Sequence, residues 1–242
     1  MNTTSLIARI RPRPDVIDVT PSATTQPVHR AGQTAPMIRM LFAALMLLTV
    51  CVDHAAADEE ECGTLRNAYG PFDYRKAGPQ QLRLVEDYHF TPKVERLYSG
   101  ESSSIQDDIA YLLKVFPNHH RGLLSLAKLS LREKKAHLPG SPYSMACWFE
   151  RAMRFQPEDG DVHVVFGYYL SKTGNMRGAA DEFREAIRLG VESGNVHYNL
   201  ALVLLDLGDK PGAVEHAKKA YEAGFQLQGL KKRLQKMGLW TE

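Results

Sequence analysis

Nine histidines, three cysteines and a set of lysines and arginines at helical spacing are the residues of this chain with chemistry to offer. His163 and His197 stand 34 residues apart, at the same place in an internal repeat. That placement reads as interhelical packing and not as ligation. His119 and His120 follow Pro117 at a repeat boundary. Adjacent histidines on a turn point apart, so a metal there would need a third ligand brought from elsewhere. The plainer role is to cap a helix or bond a loop. The sequence holds no Gly-x-Gly-x-x-Gly, no phosphate-binding Walker loop, no His-Glu-x-x-His and no Gly-x-Ser-x-Gly. These residues therefore predict no catalytic centre, no metal and no cofactor.

The cysteines suggest structure more than reactivity. None sits in a Cys-x-x-Cys pair. Cys62 and Cys147 lie in the part of the chain expected to persist after export, and an exported chain with two cysteines predicts a disulfide between them. The alternative is two unpaired thiols, one of them buried on a helix. Cys51 belongs to the leader discussed below.

The elements that position these residues come from self-similarity. Gly160–Gly190 matches Gly194–Gly224 at a shift of 34 residues. Phe166 aligns with Leu200, Gly167 with Ala201, Gly174 with Gly208, Ala179 with Ala213, Ala186 with Ala220, and Gly190 with Gly224. Large residues alternate with small ones at helical spacing, so each repeat is a pair of helices whose small positions let the partner approach. Gly174 and Gly208 end the first helix, where a left-handed residue is cheap only for glycine. This resembles the tetratricopeptide repeat (TPR). An earlier copy appears at a shift of 40, with Pro117 under Pro157 and Leu126-Ala127 under Phe166-Gly167. Its extra residues fall in Lys134–Pro142, a loop signature. Helix B of that copy is Tyr143–Phe155.

The expected fold is all-α, a TPR helical-hairpin solenoid of about three repeats with flanking capping helices and an irregular N-terminal segment. A half repeat spans 105–117, where Ile105–Phe116 reads as the unpaired last helix of a degenerate repeat. Repeats follow at about 120–157, 160–191 and 194–225. A capping helix and tail occupy 226–242, with Leu230, Leu234 and Met237 on one face and Lys231, Lys232, Arg233 and Lys236 on the other, solvated face. Residues 58–104 form an aromatic, Pro/Gly-rich segment. Thr91-Pro92 there reads as an N-cap and N1 pair opening a short helix, and Tyr69–Tyr88 as a compact loop packed on the array by its rings.

Residues 1–57 read as a leader. Residues 1–36 are rich in Thr, Pro, Arg and Ser, and are either a disordered extension or a mis-assigned start, with Met37 or Met40 the true one. Residues 37–57 carry a basic flank, the apolar run Leu41–Val52, and Ala55 and Ala57 at the −3 and −1 places of a signal peptide. The alternative is a lipid anchor on Cys51, against which Val50 is branched where a small residue is usual. The leader holds five of the chain's 30 basic and three of its 28 acidic residues, leaving 25 of each. A neutral mature chain gives no electrostatic reason to bind nucleic acid. The membrane is met only through the transient signal peptide or, in the alternative, the lipid anchor.

The segments Cys62–Arg75 (Cys-Gly-x-Leu-x-Asn-Ala-Tyr-Gly-Pro-Phe-Asp-Tyr-Arg), His89–Leu97, Phe116–Arg121 (Phe-Pro-Asn-His-His-Arg) and Gly238-Leu239-Trp240 resemble a family of exported proteobacterial TPR proteins of unknown function. The resemblance spans nearly the whole chain after the leader. It implies a periplasmic setting and supplies no activity.

Binding is then the expected role. In such arrays helix A lines an inner groove. With repeats beginning at His120, Gly160 and Gly194, the groove positions hold Arg121, Leu124, Lys128 and Arg132, then Val164, Tyr168 and Lys172, then Asn195, Tyr198 and Leu202. Arg121, Lys128, Arg132 and Lys172 form a basic stripe beside Tyr168 and Tyr198, suited to a peptide carrying a carboxylate. The functional expectation is a non-catalytic scaffold or adaptor in the periplasm with a protein or peptide partner in the cell envelope. One alternative is an accessory subunit or small-ligand binder using the N-terminal aromatic loop. Another is an outer-membrane lipoprotein. A self-filled groove, occupied by the N-terminal segment, is also consistent with the residues.

Overall fold

The computed structural model describes residues 62–241. The leader, with its signal-peptide and lipid-anchor readings and Cys51, lies outside them. The described residues are helical throughout, without strands: α1 Pro79–His89, α2 Pro92–Glu95, α3 Ile105–Val115, α4 His120–Glu133, α5 Met145–Phe155, α6 Gly160–Thr173, α7 Met176–Arg188, α8 Gly194–Asp206, α9 Lys210–Glu222 and α10 Gly229–Lys236. No described helix is long and apolar enough to cross a membrane. Helices pair in chain order, α6 with α7 and α8 with α9, while α4 packs beside α6 and α7 beside α8. This is the expected all-α solenoid of helical hairpins.

Local chemistry explains where six of the ten described helices begin. Ser104, Ser144, Asn175, Ser193 and Asp209 accept the N–H of the residue three positions on, each satisfying one orphan donor of the first turn. His119 does the same with Nδ1, accepting from Gly122 N–H at 3.0 Å. The C-termini repeat one device. After α6 the Asn175 N–H reaches Leu170 O at 3.0 Å, and after α8 the Asp209 N–H reaches Leu204 O at 2.9 Å, around Gly174 (φ 90°) and Gly208 (φ 85°). Helix α4 closes the same way, with Lys135 N–H on Ser130 O at 3.0 Å, but its left-handed residue is Lys134 (φ 54°).

Packing follows the large and small pattern. A Cβ built on Gly167 would lie 2.9 Å from the Phe183 ring, so only glycine lets α6 sit this close to α7. Phe166 lies flat on Phe149, with centroids 4.5 Å apart, joining the first and second hairpins. One buried cluster runs from Val85 to Tyr169 and a second from Ala179 to Leu234. Helix α10 begins 35 residues after α8 and lies against α8 and α9, burying Leu230 and Leu234. Trp240 closes this end edge-on against Tyr221 (5.5 Å), whose hydroxyl donates to Leu227 O at 2.9 Å.

The N-terminal segment corrects two expectations. Residues 79–89 form an eleven-residue helix within what reads as a loop, because Leu82 and Val85 turn to the core while Leu84 and Tyr88 face solvent. Helix α3 is therefore not unpaired: it packs on α1. Thr91 and Pro92 stand at the N-cap and N1 places as expected, opening a helix of four residues, while the Thr91 hydroxyl donates to Glu101 Oε2 at 2.8 Å and makes no side-chain cap bond to the first turn.

Cys62 and Cys147 form a disulfide with Cα atoms 5.0 Å apart. It fastens the start of the described chain to α5. Arg151, one turn further along α5, is buried and donates through Nη1 to the carbonyls of Cys62, Gly63 and Thr64 at 2.9, 3.1 and 2.8 Å. Its guanidinium lies 4.3 Å from the Tyr143 ring centroid. Aromatic faces and backbone carbonyls thus solvate a charge that burial would otherwise make costly.

Candidate functional site: the face of the first helices

Helices α4, α6 and α8 carry all ten sequence-predicted groove residues, and the structure treats them unequally. On α4, Arg121 makes a two-point ion pair with Glu95, at 2.8 Å through Nε and 2.7 Å through Nη2. Glu86 lies 3.5 Å from the same guanidinium. The hydrogen bond from Arg121 holds the Glu95 carboxyl below its ordinary range, against the opposing effect of burial. Arg132 donates to the carbonyl of Leu97 at 2.9 Å and pairs with Glu133 at 3.1 Å. Ser125 donates to the carbonyl of Glu95 at 3.0 Å. The segment Glu95–Leu97 therefore lies along α4. Together with Arg121, Leu124 and Lys128 it encloses a surface cleft of about 490 Å³. Two of the four stripe cations, Arg121 and Arg132, are engaged by the chain itself, so the N-terminal segment fills part of this face.

Lys128 is exposed, and among the described residues no ion pair involves it. On α6, Lys172 places its ammonium 5.6 Å from the Tyr168 ring centroid. Val164 is half-buried on the edge of the second core cluster, as is Leu202 on α8. Asn195 is exposed, its side-chain oxygen accepting from Asn199 at 3.0 Å. Tyr198 departs most from expectation. It is buried, with its ring tilted against Phe225 at 4.4 Å and edge-on to Tyr221. Helix α10 and the turn before it cover this part of α8, so Tyr198 is a packing residue and not a groove residue.

The structure adds residues that helix positions alone miss. Lys134, Lys135 and Lys172 share a cleft of about 480 Å³ with Leu131, Tyr169 and Thr173, at the C-terminal ends of α4 and α6. Among the described residues no carboxylate lines it. The exposed carbonyls of two helix ends favour cations there. The signal in the sequence is the pair Lys134-Lys135, which falls outside the helical groove frame because it belongs to the inserted loop.

The Phe116–Arg121 stretch is a structural joint. Asn118 is fully buried. Its side-chain oxygen accepts from Tyr74 N–H at 2.9 Å, and its amide donates to Asp73 and Asp159, both at 2.7 Å. His119 Nε2 meets Glu86 Oε1 at 2.9 Å while its Nδ1 caps α4, which fixes the proton on Nε2. Burial pushes the His119 imidazole below its ordinary range. His120 Nε2 lies 2.9 Å from both oxygens of Asp159. His120, Asp159 and Asp161 have ligand atoms within 4.8 Å of one another. However, the Arg75 guanidinium already stands 3.3 Å from Asp159 Oδ2, and Asn118 bonds the same oxygen. Burial would raise the Asp159 carboxyl, but the His120 hydrogen bond and charge, Asn118 and Arg75 together hold it below its ordinary range. An oxygen already serving a guanidinium and an amide is poorly disposed to ligate a metal.

The aromatic segment is committed to the same joint. Phe72 packs on Phe116 at 6.0 Å, and Tyr74 on His119 at 4.1 Å.

No protein-family model matches the chain, and no curated protein matches it. Among solved structures the chain is similar to MamA. A crystal structure of MamA shares 19% identity, covering 56% of this chain and 78% of that one, at a TM-score of 0.43. MamA AMB-1 in a P212121 crystal shares 19%, covering 85% and 100%, at 0.42. MamA MSR-1 C2 shares 20%, covering 81% and 98%, at 0.40. The likeness is one of helical architecture, and the fold described above rests on this chain's own helices.

Proposed function

We propose that the protein is a non-catalytic interaction module of the bacterial cell envelope that holds an acidic peptide segment of a partner on the face formed by α4 and α6. The observation that carries this reading is the chain's own use of that face. Glu95 sits in a two-point ion pair on Arg121, and the Leu97 carbonyl accepts from Arg132. An extended segment offering one carboxylate and one carbonyl is thus a ligand this surface accommodates. Beyond Leu97 the face continues with Lys128, Lys172 against Tyr168, and the cleft of Lys134 and Lys135. A partner's carboxylates would find there the charge-assisted partners that Glu95 finds on Arg121. A rigid stack pre-organises these groups, which lowers the ordering cost of binding.

Export is part of the proposal. It rests on the signal-peptide pattern of residues 37–57 and on the disulfide, which belongs in an oxidising compartment. The alternative role for the aromatic segment, a small-ligand site, is disfavoured by rings turned into the joint at Phe116 and His119.

The test is selection of binders from a random peptide library on the immobilised chain. Acidic sequences are expected to be enriched, with affinity falling as salt rises. Lys128→Glu combined with Lys172→Glu should abolish capture while leaving the thermal transition in place. Enrichment of uncharged or basic peptides, or capture unchanged in the double variant, would overturn the reading.

A further inference from the structure

We propose that His197 and His216 form a two-imidazole site for a divalent cation of the copper(II) type, between α8 and α9. The two Nδ1 atoms face each other at 3.0 Å, and their rings are 25° from parallel. With metal–imidazole bonds of about 2.0–2.1 Å, that separation closes an N–metal–N angle of roughly 90–100°. This suits the cis positions of a tetragonal cation better than the wider angle of a tetrahedral one.

The preceding hairpin shows what this position ordinarily does. There the equivalent pair is His163 and Glu182, and Nδ1 meets a carboxylate oxygen at 2.7 Å. The third hairpin replaces that carboxylate with an imidazole. Two like groups now face each other, and they require either a shared proton or a cation between them. His197 is buried, and burial pushes both rings toward the neutral form that ligates.

Burial and then Lys219 oppose positive charge at His197, and the neighbouring carboxylates offset part of that opposition. Glu192 and Glu215 act on His197 as attractive charges for a positive ion, and Glu215 also acts on His216. Lys219 and Arg184 oppose it, but the Lys219 ammonium is bonded to Glu215 at 2.8 Å. A surface cleft of about 300 Å³ lined by Glu192, His197, Lys219 and Glu222 opens on His197, giving entry and room for water to complete the coordination. Ligation by both Nδ1 atoms places both ring protons on Nε2. No net proton is released near neutral pH, and acid competes with the metal.

The experiment is titration of the full chain with copper(II), read by calorimetry and by electron paramagnetic resonance at one equivalent. The expected result is one saturable site with hyperfine coupling to two nitrogens. His216→Gln should weaken it by at least about tenfold. The glutamine oxygen can still accept the His197 ring proton, and the other seven histidines are unchanged in both proteins. Equal binding by the variant, coupling to a single nitrogen, or no saturable uptake would overturn the proposal. Should the variant not fold, the wild-type chain decides: copper must broaden the His197 and His216 ring resonances before those of other histidines, and broadening elsewhere first sinks the site.

Discussion

Removing the disulfide by Cys62→Ala with Cys147→Ala should cost stability in an amount the structure allows to be calculated. The bridge closes a loop across 85 residues of sequence. The loss of chain entropy in an unfolded state closed at that length corresponds to about 4–5 kcal/mol at room temperature. Arg151 does not replace it. Its bonds to the Cys62, Gly63 and Thr64 carbonyls act on the folded state, whereas the cross-link acts on the unfolded one. Equilibrium unfolding in urea would show the loss as a midpoint lowered by about 2 M, taking a slope of about 2 kcal/mol/M. The loop contains α1 to α4, while the buried cluster from Ala179 to Leu234 lies outside it. In a repeat stack stability is largely a nearest-neighbour property. Amide exchange should therefore quicken most in α1 to α4 and least in α8 and α9. A midpoint within about 0.5 M of wild type would refute the loop argument. A uniform quickening along the chain would refute the division into two cooperative parts.

Two further predictions follow from the backbone and from burial. Lys134 occupies the left-handed position that Gly174 and Gly208 hold after α6 and α8. Lys134→Gly should raise the thermal midpoint, with a gain of about 1 kcal/mol read from urea unfolding; a lowered midpoint would show that the lysine side chain contributes more than its backbone costs. Acid should destabilise the fold. Burial first, then neighbouring positive charge, depresses His197 and His216, and burial depresses His119, so each binds its proton more readily when unfolded. Stability from these groups is fully present above the ordinary histidine range near 6.5 and is lost as pH falls through their lower folded values. A melting temperature that stays level from about pH 7.5 to pH 5 would contradict this.

The repeat was legible because it is written in small residues. Gly167 under Ala201 marks a close approach, and the Phe183 ring against Gly167 is the contact that demands it. The solvent-facing stripe of Arg121, Lys128, Tyr168 and Lys172 was legible because helical spacing settles which residues share a face. What covers that face was not legible. Pairing of Glu95 with Arg121 spans 26 residues and depends on where α2 lands, and no local pattern records that. Tyr198 occupies a groove position by spacing, yet Phe225 and Tyr221 pack over it, so contacts from later in the chain override the helical rule. Helix α1 was obscured by the Pro and Gly residues before it and by a solvent face that itself carries Leu84 and Tyr88.

The self-filled part of the face also bears on where a partner must bind. A partner's acidic segment competing for Arg121 would have to displace Glu95, which is covalently part of the chain and so present at a high effective concentration. Phe90 and Val94, on either side of Thr91-Pro92, are buried in the first core cluster, and Glu86 one turn before Phe90 is bonded to His119. Moving Glu95 off Arg121 would therefore pull on two core side chains and a helix cap, not merely swap one ion pair for another. Lys128, Lys172, Lys134 and Lys135 carry no such internal occupant among the described residues. Competition is thus most costly at the Arg121 end and least costly at the lysines. A partner that binds by charge should engage the lysine end first and leave the Glu95–Arg121 pair intact.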